Sequence, residues 1–243
     1  MIDSMKLDVV HICTPNNTHF EIAMYALERG VDLICEKPMT TTAQEPELLV
    51  GKVEETGLTM ALNFHNRFYP MAHHLRNVIK DGDLGGVFSI TGTCTQDWLL
   101  YETDYSWRLS AEESGKTRVV TDIGSHWMGL VEFVSGQKIT HVCADFSIIH
   151  PTRKKPKKNV VACSTEKFSE DDYENIPIST EDCASVMFRF PGGQGQRLLL
   201  AGHRGQIGRH RRSHRRLQKI RPVEKRKVQP TGAWQQGQLL RGA

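Results

Sequence analysis

The chain has 243 residues, 39% hydrophobic and 24% charged, proportions that fit one large or two modest globular domains with a self-sufficient core. Its formal charge of +3 hides an asymmetry: residues 194–243 hold 13 Lys and Arg against one acid, Glu224, whereas residues 1–193 hold 18 basic and 27 acidic side chains. No apolar run reaches the roughly 18 residues of a membrane span, and Met1 is not followed by the charged, apolar and small-residue order of a signal peptide, so a cytoplasmic protein without membrane contact is expected.

In chain order, Leu7 to Cys13 is a short β-branched run that predicts a buried parallel strand, ended by Thr14-Pro15-Asn16-Asn17. Asn17 or Thr18 can cap the following helix, whose apolar stripe of Ile22, Ala23, Ala26 and Leu27 stops at Gly30. Val31 to Cys35 is the next strand, completing a βαβ unit with a right-handed crossover. That strand stops abruptly at Glu36-Lys37-Pro38, two opposite charges and a rigid imino acid. In open α/β sheets ligands bind outside the carboxyl ends of the strands, where Glu36 and Lys37 fall. Alone, the pair reads equally as a surface ion pair. A helix over Glu45 to Glu55, a strand over Leu58 to Asn63, the polar-aromatic segment Phe64 to Pro70 and a helix over Met71 to Ile79 follow.

From Val87 the pattern changes to longer strands without intervening helices: Val87 to Thr95, Ile139 to Ile149, and Cys183 to Phe190. The fold class expected is α/β: an incomplete Rossmann-type parallel sheet over residues 1–82, then an α+β domain with an antiparallel sheet over 83–193. Between these strands lie Gln96 to Leu99, then Trp107-Arg108, and a helix opening at Thr121-Asp122 and carrying His126. Asp122 alone reads as a helix cap, His126 as an ordinary helical histidine, and Trp98 and Trp107 as core aromatics. Arg153 to Lys158 reads as a solvated loop. His65, His73 and His74 read as surface or packing residues, the cysteines as buried thiols, and no spacing predicts a metal site.

Taken together, Asp8 to Asn16 with His19, Cys35 to Pro38, Asn63 with Arg67, and Asp122 with His126 resemble the Gfo/Idh/MocA family of oxidoreductases, over about Leu7 to Phe190. The resemblance implies hydride transfer between NAD or NADP and a sugar, inositol or related polyol. By it, Lys37, Asp122 and His126 are catalytic. Thr14, Pro15, Asn16, His19, Glu36, Lys37, Pro38, Asn63, Arg67, Trp107 and Arg108 line the cofactor. Histidine supplies a base for the hydroxyl proton, and Lys37 a positive charge for the developing alkoxide. Intact relatives are expected to form homo-oligomers.

Two features depart from the family pattern. No GxGxxG turn occurs in residues 1–90, so the pyrophosphate half of the cofactor site is missing and the chain is expected to be truncated and inactive. Residues 194–243 are expected to form a disordered or frameshifted basic tail; a one-base shift lets them encode a segment like the family's final strands. A non-catalytic fragment and, behind it, a nucleic-acid binder acting through that tail are the competing readings.

Overall fold

The computed structural model describes residues 2–158 and 169–191, together with the backbone of two strands at 195–201 and 240–241. The first unit is built on three parallel strands in the order β1 (Val9–Ile12), β2 (Asp32–Cys35), β3 (Thr59–Leu62). A short β10 (Leu240–Arg241) runs antiparallel to β3 at the far edge. One side of this sheet carries the core: Val10, Ile12, Leu33, Cys35, Met60 and Leu62 are all buried. They pack with Ala23, Ala26 and Leu27 of α1 (His19–Glu28) and Leu49 and Val53 of α2 (Glu45–Thr56). The alternation follows from the two-residue period of a strand, which turns odd and even side chains to opposite faces. It corrects the expectation of a fully buried first strand, because Val9 is 52% exposed and His11 is exposed as well. Gly57 closes α2 in the left-handed conformation, φ 69°, where a side chain would be strained.

α3 (Pro70–Lys80) leads to the second unit and packs on α5 (Ser125–Ser135), with the His73 ring 5.1 Å from that of Phe133. The second sheet has the order β4 (Thr91–Thr95), β9 (Gly195–Ala201), β8 (Cys183–Arg189), β5 (His141–Ser147). β5, β8 and β9 pair antiparallel, as expected, but β4 and β9 run parallel. β9 also falls inside the stretch assigned to the basic tail. Residues 202–239 of that tail lie outside the described residues, as does Cys163. Cys13 and Cys143 are exposed, so they are not the buried thiols expected. Among the described residues no helix is long and apolar enough to cross a membrane.

α5 and the turn before it cover one face of this sheet. Val119, Val120, Ile123 and Trp127 meet Ala184, Val186 and Phe188, with the Trp127 and Phe188 rings stacked at 5.9 Å. Gly92 on β4 gives Trp127 its room: a Cβ at that position would lie 2.2 Å from the indole Nε1.

The segment read as a solvated loop is instead strand β6 (Thr152–Pro156), paired with β7 (Tyr173–Pro177). Arg153 on it is 1% exposed. A loop reading follows from five cations in six residues, but a guanidinium can be buried where carboxylates and carbonyls meet it. Here Asp182 Oδ1 accepts from Arg153 Nη2 at 2.9 Å and also binds Arg118, while Asp182 Oδ2 accepts the backbone N–H groups of Ile149 and His150. Next to it, Glu181 accepts the backbone N–H groups of Arg118 and Val120. Burial alone would raise the Asp182 pKa; the hydrogen bonds from His150, Ile149 and Arg153 and the charge of Arg118 outweigh it and hold the pKa below the ordinary value.

Two substitutions test these contacts. Asp182→Asn leaves two buried guanidinium groups short of a counter-charge and should cost about 3–5 kcal/mol in a denaturant melt. Because the folded-state pKa is depressed, the carboxylate's contribution in the parent is present above the ordinary carboxylate pKa and is lost as pH falls through the folded value. The variant should therefore show a flatter acid limb. Gly92→Ala should cost about 1–3 kcal/mol, since Trp127 can yield only by leaving Phe188; an unchanged melting midpoint would count against the packing described.

Candidate active site

The site forms where the parallel strands end. The ladder continues one residue past each strand, Glu36 N–H to Ile12 C=O at 2.9 Å and Asn63 N–H to Cys35 C=O at 2.8 Å, which sets Glu36 and Asn63 side by side on the rim. Asn63 Nδ2 donates to Glu36 Oε1 at 2.6 Å, and His11 Nε2 lies 4.0 Å from the same oxygen. The next residue, Lys37, precedes Pro38 through a cis peptide bond and projects toward the second unit.

There its ammonium donates to Asp122 twice, to the carboxylate at 2.5 Å and to the backbone carbonyl at 2.8 Å. Arg108 Nε lies 3.6 Å from the same Asp122 oxygen. Asp122 sits in a one-turn π-helix, Val120–Gly124, that runs directly into α5. Such turns are uncommon and often fall at functional sites. Glu181 holds the start of that turn through the Arg118 and Val120 N–H groups, so the buried acid positions the segment that carries Asp122.

His126 follows on α5, its ring 5.7 Å from Phe64 and 4.7 Å from His65, both edge-on. Its Nδ1 is buried and has no hydrogen-bond partner among the described residues. Burial, then the nearby charges of Lys37 and His65, push its pKa down to about 4. The imidazole is therefore neutral at pH 7 and can accept a proton. A spacing of four residues on a helix lets Asp122 orient His126 or bind a substrate hydroxyl; in this structure the carboxylate lies against Lys37 and Arg108.

The residues expected to line the cofactor divide into three groups. Glu36, Lys37 and Asn63 come together on the rim, and Arg108 reaches it through Asp122. Thr14, Pro15, Asn16, His19 and Pro38 make the loop frame beside it. Thr18 Oγ1 donates to the Pro15 carbonyl at 2.8 Å and lies 2.6 Å from the Thr14 hydroxyl. Asn16 Nδ2 donates to the Ser114 carbonyl of the second unit, and the fully buried His19 ring bridges the Pro38 and Thr14 carbonyls. Arg67 stands apart: it is 8% exposed, with its guanidinium against Gly129 of α5. Trp107 stacks under Arg108, the guanidinium carbon 4.5 Å from the ring centroid.

Sequence reasoning passed over His65, treated as a packing residue, and Glu181 and Asp182, which lie beyond any local motif. The buried pair of acids directly before a strand was the one available signal, since adjacent carboxylates at the edge of an apolar run call for partners.

These features define a class: a Rossmann-type sheet with a charged rim, joined to an α+β domain that faces the rim with an aspartate and a histidine. The chain belongs to the Gfo/Idh/MocA oxidoreductases. Residues 72–216, more than half of it, match the GFO/IDH/MocA C-terminal domain, and residues 1–64 match the oxidoreductase family's NAD-binding Rossmann fold. Levoglucosan dehydrogenase of Pseudarthrobacter phenanthrenivorans is 29% identical over 194 residues, 79% of this chain and 49% of that one. D-xylose 1-dehydrogenase (NADP(+)) of Hypocrea jecorina is 32% identical over 184 residues, 73% of this chain and 44% of that one. A structure of levoglucosan dehydrogenase with NADH and levoglucosan superposes with a TM-score of 0.70 at 28% identity, covering 86% of this chain and 51% of that one. The chain thus spans about half the length or less of the curated relatives it matches.

The low pKa of His126 gives a direct prediction. In a proton NMR titration its ring signals should shift with a midpoint near pH 4, as burial and Lys37 dictate. Lys37→Met should raise that midpoint by removing the facing ammonium. The unfolded histidine binds its proton near pH 6.5 and the folded one near 4, so this group's contribution to stability is complete above 6.5 and declines as pH falls toward 4. A midpoint at about 6 or above would contradict the buried, cation-facing environment.

Proposed function

We propose that the chain carries the substrate and nicotinamide side of an NAD(P)-dependent dehydrogenase acting on a sugar, inositol or related polyol. The observation that supports this reading most is the convergence of Lys37, Asp122 and a neutral His126 from two separate units at one strand rim. A neutral imidazole and an ammonium held by a carboxylate fit a substrate hydroxyl and its developing negative charge.

NAD or NADP, when bound, would supply the acceptor for a hydride from the carbinol carbon. Of the residues present, Glu36 and Asn63 on the rim, with Thr14 and Pro15 in the loop frame, would hold its nicotinamide end. The fit is partial, because residues 1–90 contain no glycine-rich turn to receive a pyrophosphate. In the reaction His126 takes the hydroxyl proton. Lys37 donates a hydrogen bond to the same oxygen as negative charge builds there, and the half-buried setting strengthens that interaction relative to water. Asp122 keeps the ammonium aimed. Arg108, shared between Asp122 and Trp107, limits the freedom of the carboxylate. The motif matches of the family and the named activities of its relatives support the same chemistry.

The test is to follow NADH fluorescence on titration with the chain and, in parallel, dinucleotide reduction with a panel of sugars and inositols. Saturable binding that survives in Lys37→Met and His126→Asn, with turnover lowered by about 10²–10⁴ in each, is the expected result. Saturable binding with no turnover on any polyol would favour a non-catalytic cofactor-binding fragment. No dinucleotide binding at all would sink the reading.

A further inference from the structure

Beside the rim, and not used by the chemistry above, a tryptophan stands exposed on a rigid mount. Trp98 is 42% exposed, although its neighbour Leu99 is 3% exposed and packs with Leu109 and Ile178. Its indole N–H donates to Gln96 Oε1 at 2.8 Å, which fixes the tilt of the ring. The backbone that carries it is clamped from behind. Buried Arg153 donates to the carbonyls of Leu99 at 3.1 Å and Tyr101 at 2.8 Å, and the His150 ring lies 3.1 Å from the carbonyl of Leu100. An exposed aromatic on a mobile loop asks for no explanation, but one whose loop is anchored by a fully buried guanidinium is held in place.

What it is held against is the site. Gln96, Trp98, Asp122 and Ile123 line one small recess. Arg108 joins the two sides, its guanidinium carbon 6.0 Å from the Trp98 ring centroid and its Nε 3.6 Å from Asp122. An apolar, electron-rich face thus lies next to a carboxylate, an amide and a guanidinium. That combination suits a molecule with one face of C–H bonds and a rim of hydroxyls. Carbinol hydrogens carry a small positive charge that the negative face of an indole attracts, while an amide and an Arg–Asp pair supply donors and acceptors to the hydroxyls. A six-membered cyclic polyol or pyranose presents such a face in one rigid plane. An open-chain polyol presents it only after freezing several torsions, each at an entropic cost.

We propose that Trp98, tilted by Gln96 and mounted by Arg153, is a stacking platform that selects a cyclic polyol and sets its hydroxyls toward Asp122 and Arg108. This deepens the dehydrogenase reading and rests on it for the placement of the reacting carbon.

The test needs neither cofactor nor turnover. Saturation-transfer NMR on the full chain, with myo-inositol as the cyclic probe and D-glucitol as the open-chain one, reads which hydrogens touch the protein. The expected result is strong transfer to the ring C–H hydrogens of myo-inositol and weak transfer to D-glucitol. Trp98→Ala should weaken apparent myo-inositol affinity by about tenfold, and Trp98→Phe, which keeps an aromatic face, should retain most of it. Circular dichroism and melting of both variants separate a lost platform from a lost fold; if Trp98→Ala does not fold, comparing Trp98→Phe with Trp98→Leu makes the same contrast at similar bulk. Equal transfer to the two probes, equal affinity in parent and the non-aromatic variant, or no transfer from the parent would each overturn the platform. Dinucleotide binding, measured separately, shows whether the broader reading falls with it.

Discussion

Two adjacent carboxylates, Glu181 and Asp182, sit at the junction of everything that faces the strand rim, and both are 3% exposed. Glu181 takes the backbone N–H groups that open the turn containing Asp122. Asp182 gathers Arg118 from that same segment and Arg153 from β6, and Arg153 in turn grips the loop bearing Trp98. In a low-dielectric interior such groups cannot be left half-paired, because an unmatched buried charge costs several kcal/mol. The four charges therefore allow only a narrow range of positions for the helix and the loop. The Asp122 turn takes its geometry from these ion pairs, to which it is tied by the hydrogen bond from the Asp122 N–H to the Arg118 carbonyl at 2.7 Å.

The two units meet through a second, smaller set of contacts. Lys37 reaches from the end of β2 to Asp122, and Asn16 from the loop after β1 to the Ser114 carbonyl. Each crosses between units using a side chain fixed by strand-end geometry. The Lys37–Asp122 contact has two consequences. It gives a lysine that is only 11% exposed a counter-charge, and it leaves the His126 Nδ1 without a hydrogen-bond partner among the described residues. The neutral imidazole is the outcome of that arrangement together with burial.

The parallel sheet shows the same economy. Its helices α1 and α2 pack with the inward residues of all three strands, while Val9, His11 and Ile34 on other positions remain exposed. Functional groups are therefore drawn from the strand ends, where side chains have no packing duty, and the strand interiors serve only to set their spacing.

Much of this was legible in the amino-acid order. Periodicity located β1, β2, β3, α1, α2 and α3 to within two residues, and also the helical stretch carrying His126, since each buries one face and repeats at its own period. The motifs at Cys35-Glu36-Lys37-Pro38 and at Asp122 with His126 also carried the family resemblance, because strand ends and helix starts are local in sequence. The partners of those side chains were not legible. That the Asp122 carboxylate meets the Lys37 ammonium depends on a contact 85 residues apart. That Arg153 is core, in a run of lysines that looks solvated, depends on Asp182 arriving 29 residues later. β6 and β7 likewise escaped, since short polar strands carry little alternation and gain stability from neighbours, and the parallel pairing of β4 with β9 joins strands about a hundred residues apart. The sequence by itself determined which elements form and which groups stand at their ends. Only the tertiary structure decided which charges pair, because desolvation and Coulomb energies depend on what lies opposite in space and not on what lies adjacent in the chain.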